Sequence, residues 1–329
     1  MSADVVITDA TFPDVERERA VAEALGASFE LCDCRTPEDV AAAVKGAKVA
    51  VVQFAELNAE AVEGLAPDAT VIRYGVGYNN LDVAAMNKRN IQGVYVPDYC
   101  TSEVADHTAA MILAKLRKLE AFDTSVRAGD WAAVKIAKPM KAFGDTKIGF
   151  FGFGRIAQAV AERLAPFGFQ FLATDPMFDE AKNNPLKVKG VSFEELICES
   201  DCISLHAPAT RDTIGRMNAD AFAKMKSTSY VVNSARGDLI DETALATALT
   251  NGEIAGASVD VFLQEPLAAD SPLRSAPNLT MSPHAAWYSD VAVESLQSLV
   301  ADEITRALTG KSARRPIPGS KPTEIQEAL

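Results

Sequence analysis

Three histidines limit the choice of an acid–base group in this chain. His107 lies in a helix-like stretch beside apolar neighbours, where a satisfied, partly buried side chain is the ordinary outcome. His206 closes the segment CISLHAP, where contact with a cofactor is expected rather than chemistry. His284 closes LTMSPH and precedes Trp287 and Tyr288, an aromatic pair suited to walling a small pocket. Because imidazole titrates near neutral pH, His284 is the predicted acid and base.

Two charged residues are candidates to assist this histidine. Oxidation of an alcohol by hydride transfer needs a base for the hydroxyl proton, and ketone reduction needs the same group protonated. A carboxylate stabilises imidazolium, and Glu265 in VFLQEPLAAD is the candidate. Arg236 in VVNSARGD offers a planar guanidinium that would bind a substrate carboxylate and polarise its carbonyl. An exposed ion-pairing arginine is the ordinary alternative, and the shared position of these residues after strand-like segments favours catalysis.

A glycine turn after the strand-like segment KIGFFGF predicts a dinucleotide site. Gly152 and Gly154 form a G-x-G-x-x-A pattern with Ala157, in which the glycines allow a tight turn and close approach of a pyrophosphate to the backbone. Asp175 ends the next strand-like segment, FQFLATD, where an acid accepts ribose hydroxyls and repels a 2′-phosphate. The pattern therefore predicts NAD rather than NADP. The alternative is a structural turn with a capping aspartate.

The elements that must position these residues form two α/β series. Five β-branched runs alternate with helical stretches in the first hundred residues: DVVITDA, SFELCDC, KVAVVQF, TVIRYG and IQGVYVP. A second series starts at Lys147 with KIGFFGF, FQFLATD, CISLHAP, SYVVNSARG, IAGASVDVF and LTMSPHAAW. Such alternation predicts parallel strands with crossover helices. One long helix is predicted from Thr101 to near Gly129, and a last amphipathic helix ends at Gly310, before an expected loose tail.

The composition fits a two-domain globular protein and argues against several classes of function. The chain has 329 residues, of which 48% are hydrophobic and 23% charged. Its net charge of −13 disfavours nucleic acid or an anionic membrane as a partner. The sequence shows neither a secretion signal nor a long apolar run, so a cytoplasmic protein is expected. Five cysteines at spacings typical of neither zinc nor redox motifs predict reduced, buried thiols and no metal.

An ordered series of motifs resembles the D-isomer-specific 2-hydroxyacid dehydrogenases, the family of phosphoglycerate, D-lactate and formate dehydrogenases. The motifs are RYGVGYNNLDV, VADHT, GFFGFGRIAQAVAERLAPFGF, LHAP, NSARGDLIDETAL, GASVDVFLQEP and SPHAAWYSD. The resemblance implies that Arg236 binds substrate, that Glu265 supports the histidine and that His284 is the acid and base. It also implies that NAD contacts the turn at Gly152, Gly154, Arg155 and Ile156, then Asp175, His206, Ala207, Pro208, Thr213, Ser234, Ala235, Arg236, Asp260 and His284, with Asp260 near the carboxamide.

The resemblance also implies a domain plan and a substrate site. Residues 1–101 with 289–329 would form a discontinuous, flavodoxin-like substrate domain, and residues 102–288 a Rossmann NAD-binding domain, both doubly wound α/β folds. Backbone N–H groups of Val76 and Gly77, helped by Arg73, would hold the substrate carboxylate. A homodimer is expected, since the long helix of the NAD domain packs against its partner in this family.

Particular residues separate branches of the family. Glu265 stands where formate dehydrogenases carry glutamine, which argues against formate, because a substrate with no proton to transfer needs no imidazolium. The loop RYGVGY lacks the lysine of the phosphite-oxidising branch. PHAAWYSD resembles the C-terminal-binding-protein branch most, and Trp287 would then shape the substrate pocket. The alternative function is therefore an NAD(H)-sensing interaction protein with little turnover.

Two departures from the family pattern are Ala157, in place of a third glycine, and Asp238, in place of a small residue.

Overall fold

Two parallel sheets organise the chain, and each is the centre of its own unit. A computed structural model describes residues 3–180 and 184–320. One unit comprises the described residues up to Cys100 together with those from Ser289 onward, and the other runs from Thr101 to Tyr288. Among the described residues, no helix is both long and apolar enough to cross a membrane.

The first sheet has the strand order β2-β1-β3-β4-β5, which is that of flavodoxin-like folds. Its strands are β1 (Val5–Ile7), β2 (Phe29–Leu31), β3 (Val49–Val52), β4 (Thr70–Arg73) and β5 (Gln92–Tyr95). The accompanying helices are α1 (Glu16–Ala24), α2 (Pro37–Ala43), α3 (Ala59–Gly64), α4 (Val83–Lys88) and the C-terminal α12 (Asp290–Leu308). Every residue of β1 and β3 is buried, because helices cover both faces of a parallel sheet. Helix α12 brings Val300 and Ile304 into this core.

The second sheet has the order β12-β11-β10-β9-β6-β7-β8, and all its neighbouring strands are parallel. Its strands are β6 (Lys147–Phe151), β7 (Gln170–Thr174), β8 (Val188–Gly190), β9 (Cys202–Leu205), β10 (Tyr230–Asn233), β11 (Gly256–Val259) and β12 (Leu279–Met281). Its helices are α5 (Thr101–Leu116), α6 (Leu119–Arg127), α7 (Ala133–Ala137), α8 (Arg155–Leu164), α9 (Phe193–Glu199), α10 (Ala219–Lys224) and α11 (Glu242–Asn251). The order contains the Rossmann arrangement, with its switch point between β6 and β9. The predicted parallel α/β fold is confirmed.

The predicted single helix from Thr101 to Gly129 was wrong, because α5 ends at Leu116 and α6 begins at Leu119. Lys118 takes a left-handed conformation with a φ of +52°, which interrupts the helical hydrogen-bond ladder. Its ammonium group donates to the carbonyl of Ile136 at 3.0 Å. This contact is with a residue far along the chain, so the periodicity of apolar residues could not reveal the break.

Two smaller expectations also need correction. The tail was expected to be loose, but Ile317 is buried, its N–H donates to Gly93 at 2.9 Å, and Tyr95 donates to Arg315 at 3.1 Å. The segment from Arg315 to Ser320 therefore lies against β5, and the remainder of the predicted tail lies outside the described residues. The cysteines are free thiols as expected, but Cys198 is exposed and Cys32 is half-buried rather than buried.

Candidate active site

The candidate residues of the second unit follow the carboxyl ends of its strands. Because parallel strands end at one edge of a sheet, the loops after them share that edge, where α/β folds bind ligands. The loops carry Gly152 after β6, Asp175 after β7, His206 after β9, Ser234 after β10, Asp260 after β11 and His284 after β12. The sequence-predicted residues of this unit are thus gathered on loops at one sheet edge.

The glycine turn after β6 is shaped for close backbone approach. Gly152 has a φ of +85°, and a Cβ there would lie 2.6 Å from the backbone nitrogen of Ala207. Only glycine is tolerated at such a position. A Cβ on Gly154, directly before the first turn of α8, would have nothing within 4 Å. The N-terminus of α8 therefore has open space beside its backbone, whereas the small Ala157 is fully buried behind it.

The loops flanking this turn are fixed by their own hydrogen bonds. The carboxylate of half-buried Asp175 accepts from the N–H of Phe153 at 2.8 Å and that of Met177 at 2.7 Å. Asp175 therefore supports the turn, whatever else it binds. After β9, the hydroxyl of Thr213 donates to the carbonyl of Pro208 at 2.5 Å and closes that loop. His206 bonds Ser204 at 2.8 Å, and burial lowers the pKa of its imidazole to about 3, so the ring is neutral.

Arg236 is held by a turn that starts from a buried asparagine. The side chain of Asn233 donates to the carbonyl of Arg236 at 2.8 Å and accepts from the N–H of Ala235 at 3.0 Å. A Cβ on Gly237 would lie 2.0 Å from the carbonyl carbon of Phe262, so glycine is required where this turn meets the next loop. The contact ties the Arg236 segment to the loop that carries the candidate carboxylate.

The central pair of the site is Glu265 with His284. Nδ1 of His284 lies 2.6 Å from Oε2 of Glu265, and both side chains are about one-third exposed, at 28% and 30%. Oε1 of Glu265 accepts from the N–H of Phe262 at 2.9 Å. Burial raises the pKa of Glu265, but the hydrogen bond and charge of His284, the Phe262 N–H and the charge of Arg236 outweigh it and hold that pKa below its ordinary value.

A buried carboxylate fixes the backbone around His284. Asp260 has no exposed surface and accepts from the Ser282 hydroxyl at 2.5 Å and from the N–H groups of Ala285 and Ala286, each at 2.9 Å. Its own carbonyl accepts from the N–H of His284 at 2.7 Å. His284 has a φ of +52°, a conformation that non-glycine residues adopt only where surrounding contacts impose it.

Sequence reasoning missed several supports of this arrangement. Ser282 and Asn233 hold the backbone near His284 and Arg236, and Glu242 accepts from the N–H of Leu263 at 2.7 Å, so it steadies the Glu265 loop. Asn233 could have been found, since an asparagine at the end of an apolar strand usually bonds a nearby turn. Ser282 and Glu242 carry no such local signal, because their partners are distant in sequence.

The candidate substrate residues in the first unit form a braced loop. The guanidinium of Arg73 donates to the carbonyls of Gly77 and Tyr74, each at 2.5 Å. Gly75 has a φ of +148°, and a Cβ there would lie 2.8 Å from the Arg73 guanidinium. In the part of the chain that the structure describes, the N–H groups of Val76 and Gly77 have no protein acceptor. Arg73 thus supports the loop through its carbonyls.

The aromatic pair after His284 differs in exposure. Trp287 is half-buried and Tyr288 is exposed, and their rings pack edge-to-face with centroids 5.6 Å apart.

Within the described residues, no group of histidine, cysteine, aspartate and glutamate side chains has the arrangement of a metal site.

The fold and the glycine turn fit a dinucleotide-dependent oxidoreductase, and comparison with known proteins defines the family. A family model described as "D-isomer specific 2-hydroxyacid dehydrogenase, NAD binding domain" matches residues 109–286. The chain belongs to the D-isomer-specific 2-hydroxyacid dehydrogenase family.

Individual relatives agree with this membership. The chain is 37% identical to a glyoxylate reductase of Korarchaeum cryptofilum over 75% of each chain. It spans only 51% of the D-3-phosphoglycerate dehydrogenases that it matches. The structure of D-lactate dehydrogenase from Aquifex aeolicus with NAD and lactic acid aligns with a TM-score of 0.85 at 26% identity, covering 93% of this chain and 96% of that one. The structure of the NADPH-dependent glyoxylate/hydroxypyruvate reductase of Sinorhizobium meliloti with NADP and malonate aligns with a TM-score of 0.80 at 29% identity. The alignment covers 96% of this chain and 97% of that one.

The lowered pKa of Glu265 predicts a pH-dependent contribution to stability. A carboxyl group whose pKa is depressed by folding stabilises the fold above its ordinary pKa and loses that contribution as the pH falls through the lowered value. At pH values above the ordinary pKa of a glutamate, we expect Glu265→Gln to have a lower free energy of unfolding than the wild type. At pH values below the lowered pKa of Glu265, the two free energies of unfolding should be equal. Urea unfolding at a series of pH values measures the difference. Glu162→Gln, at an exposed position, is the control; a Glu265→Gln effect independent of pH would contradict the ion pair.

Proposed function

We propose that this chain is an NAD-dependent 2-hydroxyacid dehydrogenase, or 2-oxoacid reductase, acting on a small D-2-hydroxy acid. The observation that carries the proposal is the 2.6 Å pair of His284 and Glu265, set on the same sheet edge as the glycine turn. When bound, the nicotinamide accepts hydride at C4 from C2 of the hydroxy acid, or returns it to the oxoacid. A proton-coupled reaction of this kind needs an acid and base beside the reacting carbon.

His284 is proposed as that acid and base. A carboxylate oxygen accepts only, so Nδ1 of His284 donates to Glu265, and we assign proton exchange with the substrate oxygen to Nε2. In oxidation Nε2 takes the hydroxyl proton, and in reduction it returns a proton to the carbonyl oxygen. Glu265 stabilises the imidazolium formed on oxidation and fixes the ring. The same pairing favours turnover over the alternative of an NAD(H)-sensing protein, which needs no acid–base pair.

The residues around the glycine turn fit a dinucleotide. Open space beside Gly154 lets a pyrophosphate approach the N-terminus of α8, where unpaired N–H groups favour an anion. Arg155 and Ile156 start that helix, and the loop from Ala207 to Thr213 borders the turn. We propose that these residues, with His206, Pro208, Ser234, Ala235 and Asp260, hold NAD. The negative charge of Asp175 would disfavour the 2′-phosphate of NADP.

Arg236 is proposed to bind the substrate carboxylate, because its guanidinium can donate two parallel hydrogen bonds to such a group. In the unit up to Cys100 and from Ser289 onward, the N–H groups of Val76 and Gly77 are the donors that we propose for contact with substrate. The unit up to Cys100 and from Ser289 onward would then be the substrate domain, and Arg73 would act by bracing its loop. Trp287 is proposed to shape the pocket for the side chain of the substrate. Asp238, two residues after Arg236 in the sequence, is proposed to bias which anions bind.

Exposed apolar side chains on two contacting helices support a homodimer. Four large apolar side chains on and beside α6 and α7 are exposed, and Trp131 is the most exposed of them at 91%. They are Leu119, Val126, Trp131 and Val134. Several large apolar side chains exposed on neighbouring helices are typical of a protein–protein contact.

We expect light scattering to give a dimer mass for the wild type and a monomer mass for the double variant Trp131→Glu, Val134→Glu, because buried charges oppose association. The double variant Met177→Glu, Ile214→Glu changes two other exposed apolar residues and is the control. A monomeric wild type would refute the dimer.

Removal of the Asp175 charge should relax the choice of cofactor. We expect Asp175→Ser to raise the ratio of kcat/KM with NADP to that with NAD by about tenfold or more, since the repulsion of the 2′-phosphate is lost. Steady-state rates at equal cofactor concentrations measure the ratio. Asp145→Asn removes the same charge at an exposed position far along the chain and should leave the ratio unchanged. A wild type that prefers NADP would overturn the assignment.

The acid–base assignment predicts a separation of turnover from cofactor binding. His284→Ala should lower kcat for reduction of 2-oxoacids by about 10²–10⁴-fold, the usual contribution of a positioned acid or base. Glu265→Gln should act in the same direction and move the alkaline limb of the reduction profile to lower pH, because the imidazolium loses its carboxylate. NADH oxidation against a panel of 2-oxoacids gives the rates, and NADH fluorescence gives the affinity, which should change little.

Glu253→Gln, a change of the same type at a half-buried residue, is the control for these variants. Arg236→Lys should instead raise KM for the oxoacid, because the bidentate contact is lost.

If the wild type binds NADH tightly but reduces none of the 2-oxoacids in the panel, the sensing function is favoured instead.

A further inference from the structure

A cavity of about 100 Å³ lies at the edge of the second sheet where its strands begin. Its wall includes Thr146, directly before β6, Asp201, directly before β9, and Tyr230, the first residue of β10. The glycine turn and His284 lie beyond the opposite ends of strands in this parallel sheet. The cavity is therefore separate from the candidate active site, and its size admits several water molecules or a small ligand.

Tyr230 is a buried residue whose hydroxyl takes no part in the hydrogen bonding of the fold. Only 9% of the residue is exposed, and within the described chain its hydroxyl has no hydrogen-bond partner. Among the described residues, the polar side-chain atoms that are both sealed from solvent and unpartnered belong to Glu18 and Ser125. The hydroxyl of Tyr230 is therefore accessible, and the residue faces the cavity. Burial raises the pKa of Tyr230, so this hydroxyl is a protonated donor at neutral pH.

Lys118 brings a positive charge to the same cavity. Its ammonium group donates to the carbonyl of Ile136 at 3.0 Å, and since an ammonium has three hydrogens, two remain for other acceptors. In the part of the chain that the structure describes, Lys118 forms no ion pair. Burial lowers the pKa of Lys118, and no neighbouring carboxylate opposes that shift. A bound anion would therefore supply a partner that the fold does not provide.

Asp201 is the acidic residue of the cavity wall, and its carboxylate is already engaged. Oδ1 accepts from Lys141 at 2.8 Å and from Lys226 at 3.0 Å, and Oδ2 accepts from the N–H of Lys147 at 2.9 Å. Burial raises the pKa of Asp201, but these hydrogen bonds outweigh it and hold that pKa below its ordinary value. One carboxylate thus faces two lysines, and Lys118 leaves the wall with an excess of positive charge.

The rest of the wall is largely apolar and is formed by Leu116, Pro139 and Met140. A small apolar surface beside a few convergent polar donors is the usual composition of a ligand site. The cation and the hydroxyl donor suit a carboxylate, and the apolar wall suits a short hydrocarbon body. The small size of the cavity limits that body to a few carbon atoms.

We propose that this cavity binds a short-chain monocarboxylate, with Lys118 and the hydroxyl of Tyr230 as donors to its carboxylate group. The site does not depend on the proposed function, because its residues lie at the other edge of the sheet from those assigned to NAD and to the oxoacid.

Butyrate is the probe for this site, and butyramide and inorganic phosphate are the comparison ligands. Butyramide has the same shape without the charge, and phosphate has charge without the hydrocarbon body. Saturation-transfer NMR with the purified full chain measures the dissociation constants. We expect saturable binding of butyrate, at least tenfold weaker binding of butyramide, and no displacement of butyrate by an equal concentration of phosphate.

Two substitutions test the donors. Tyr230→Phe should weaken butyrate binding about tenfold, the scale of one hydrogen bond to a charged group, and should leave Tm unchanged, because the hydroxyl has no partner in the fold. Lys118→Met should weaken binding at least as much, whereas Lys118→Arg keeps the charge and should retain most of the affinity. Tyr95→Phe and Lys45→Met make the same changes in the first unit and are the matched controls.

Absence of saturable butyrate binding would overturn the proposal, as would phosphate displacing butyrate. Butyrate binding that is lost in Arg236→Ala but kept in Tyr230→Phe would place the ligand in the candidate active site instead. A lower Tm of Tyr230→Phe would mean that the hydroxyl supports the fold and would also overturn the assignment. A wild type that reduces no 2-oxoacid refutes the proposed function and leaves the butyrate measurement unaffected.

Discussion

The buried carboxylate of Asp260 is the interaction on which the geometry of the site depends. It joins the end of β11 to the segment after β12, because it bonds Ser282 on one side of His284 and two N–H groups on the other. A left-handed histidine is costly on its own, and a fully hydrogen-bonded carboxylate is what can impose it. The position of His284 relative to Glu265 follows from this constraint.

The strands, and the placement of the candidate residues on the loops after them, were predictable because their signals are local. β-branched runs flanked by helices predict parallel strands, and Arg236, Glu265 and His284 stood out by residue type and by following such runs. The supports were not predictable in the same way. Ser282 meets Asp260, and Glu242 meets Leu263, only after the sheet has formed. Strand β8 was missed for a related reason, since a short edge strand with exposed residues has little hydrophobic pattern.

Asp175 has the structural role that the sequence left open as an alternative to binding ribose. Asp175 was expected either to bind ribose or to be a structural turn residue, and its contacts with Phe153 and Met177 show that the structural role is present. Those two bonds use one lone pair on each oxygen, so the carboxylate keeps acceptor capacity and its charge. Structural and selective roles are therefore compatible here. The net charge of −13 did not indicate whether the chain could bind an anion, because the N–H groups at a helix N-terminus favour an anion locally whatever the total charge.

The segment around Pro316 has a protective consequence. β5 is the last strand of its sheet, and a bare last strand offers unpaired backbone groups to any other extended chain. Tyr95 and Ile317 bond across to Arg315 and Gly93, and Pro316 sits opposite Val94 in an antiparallel bridge. Since proline has no N–H to offer, the added segment covers the edge without creating a new hydrogen-bonding edge of its own. The segment that follows the last helix therefore guards this sheet against aggregation by strand addition.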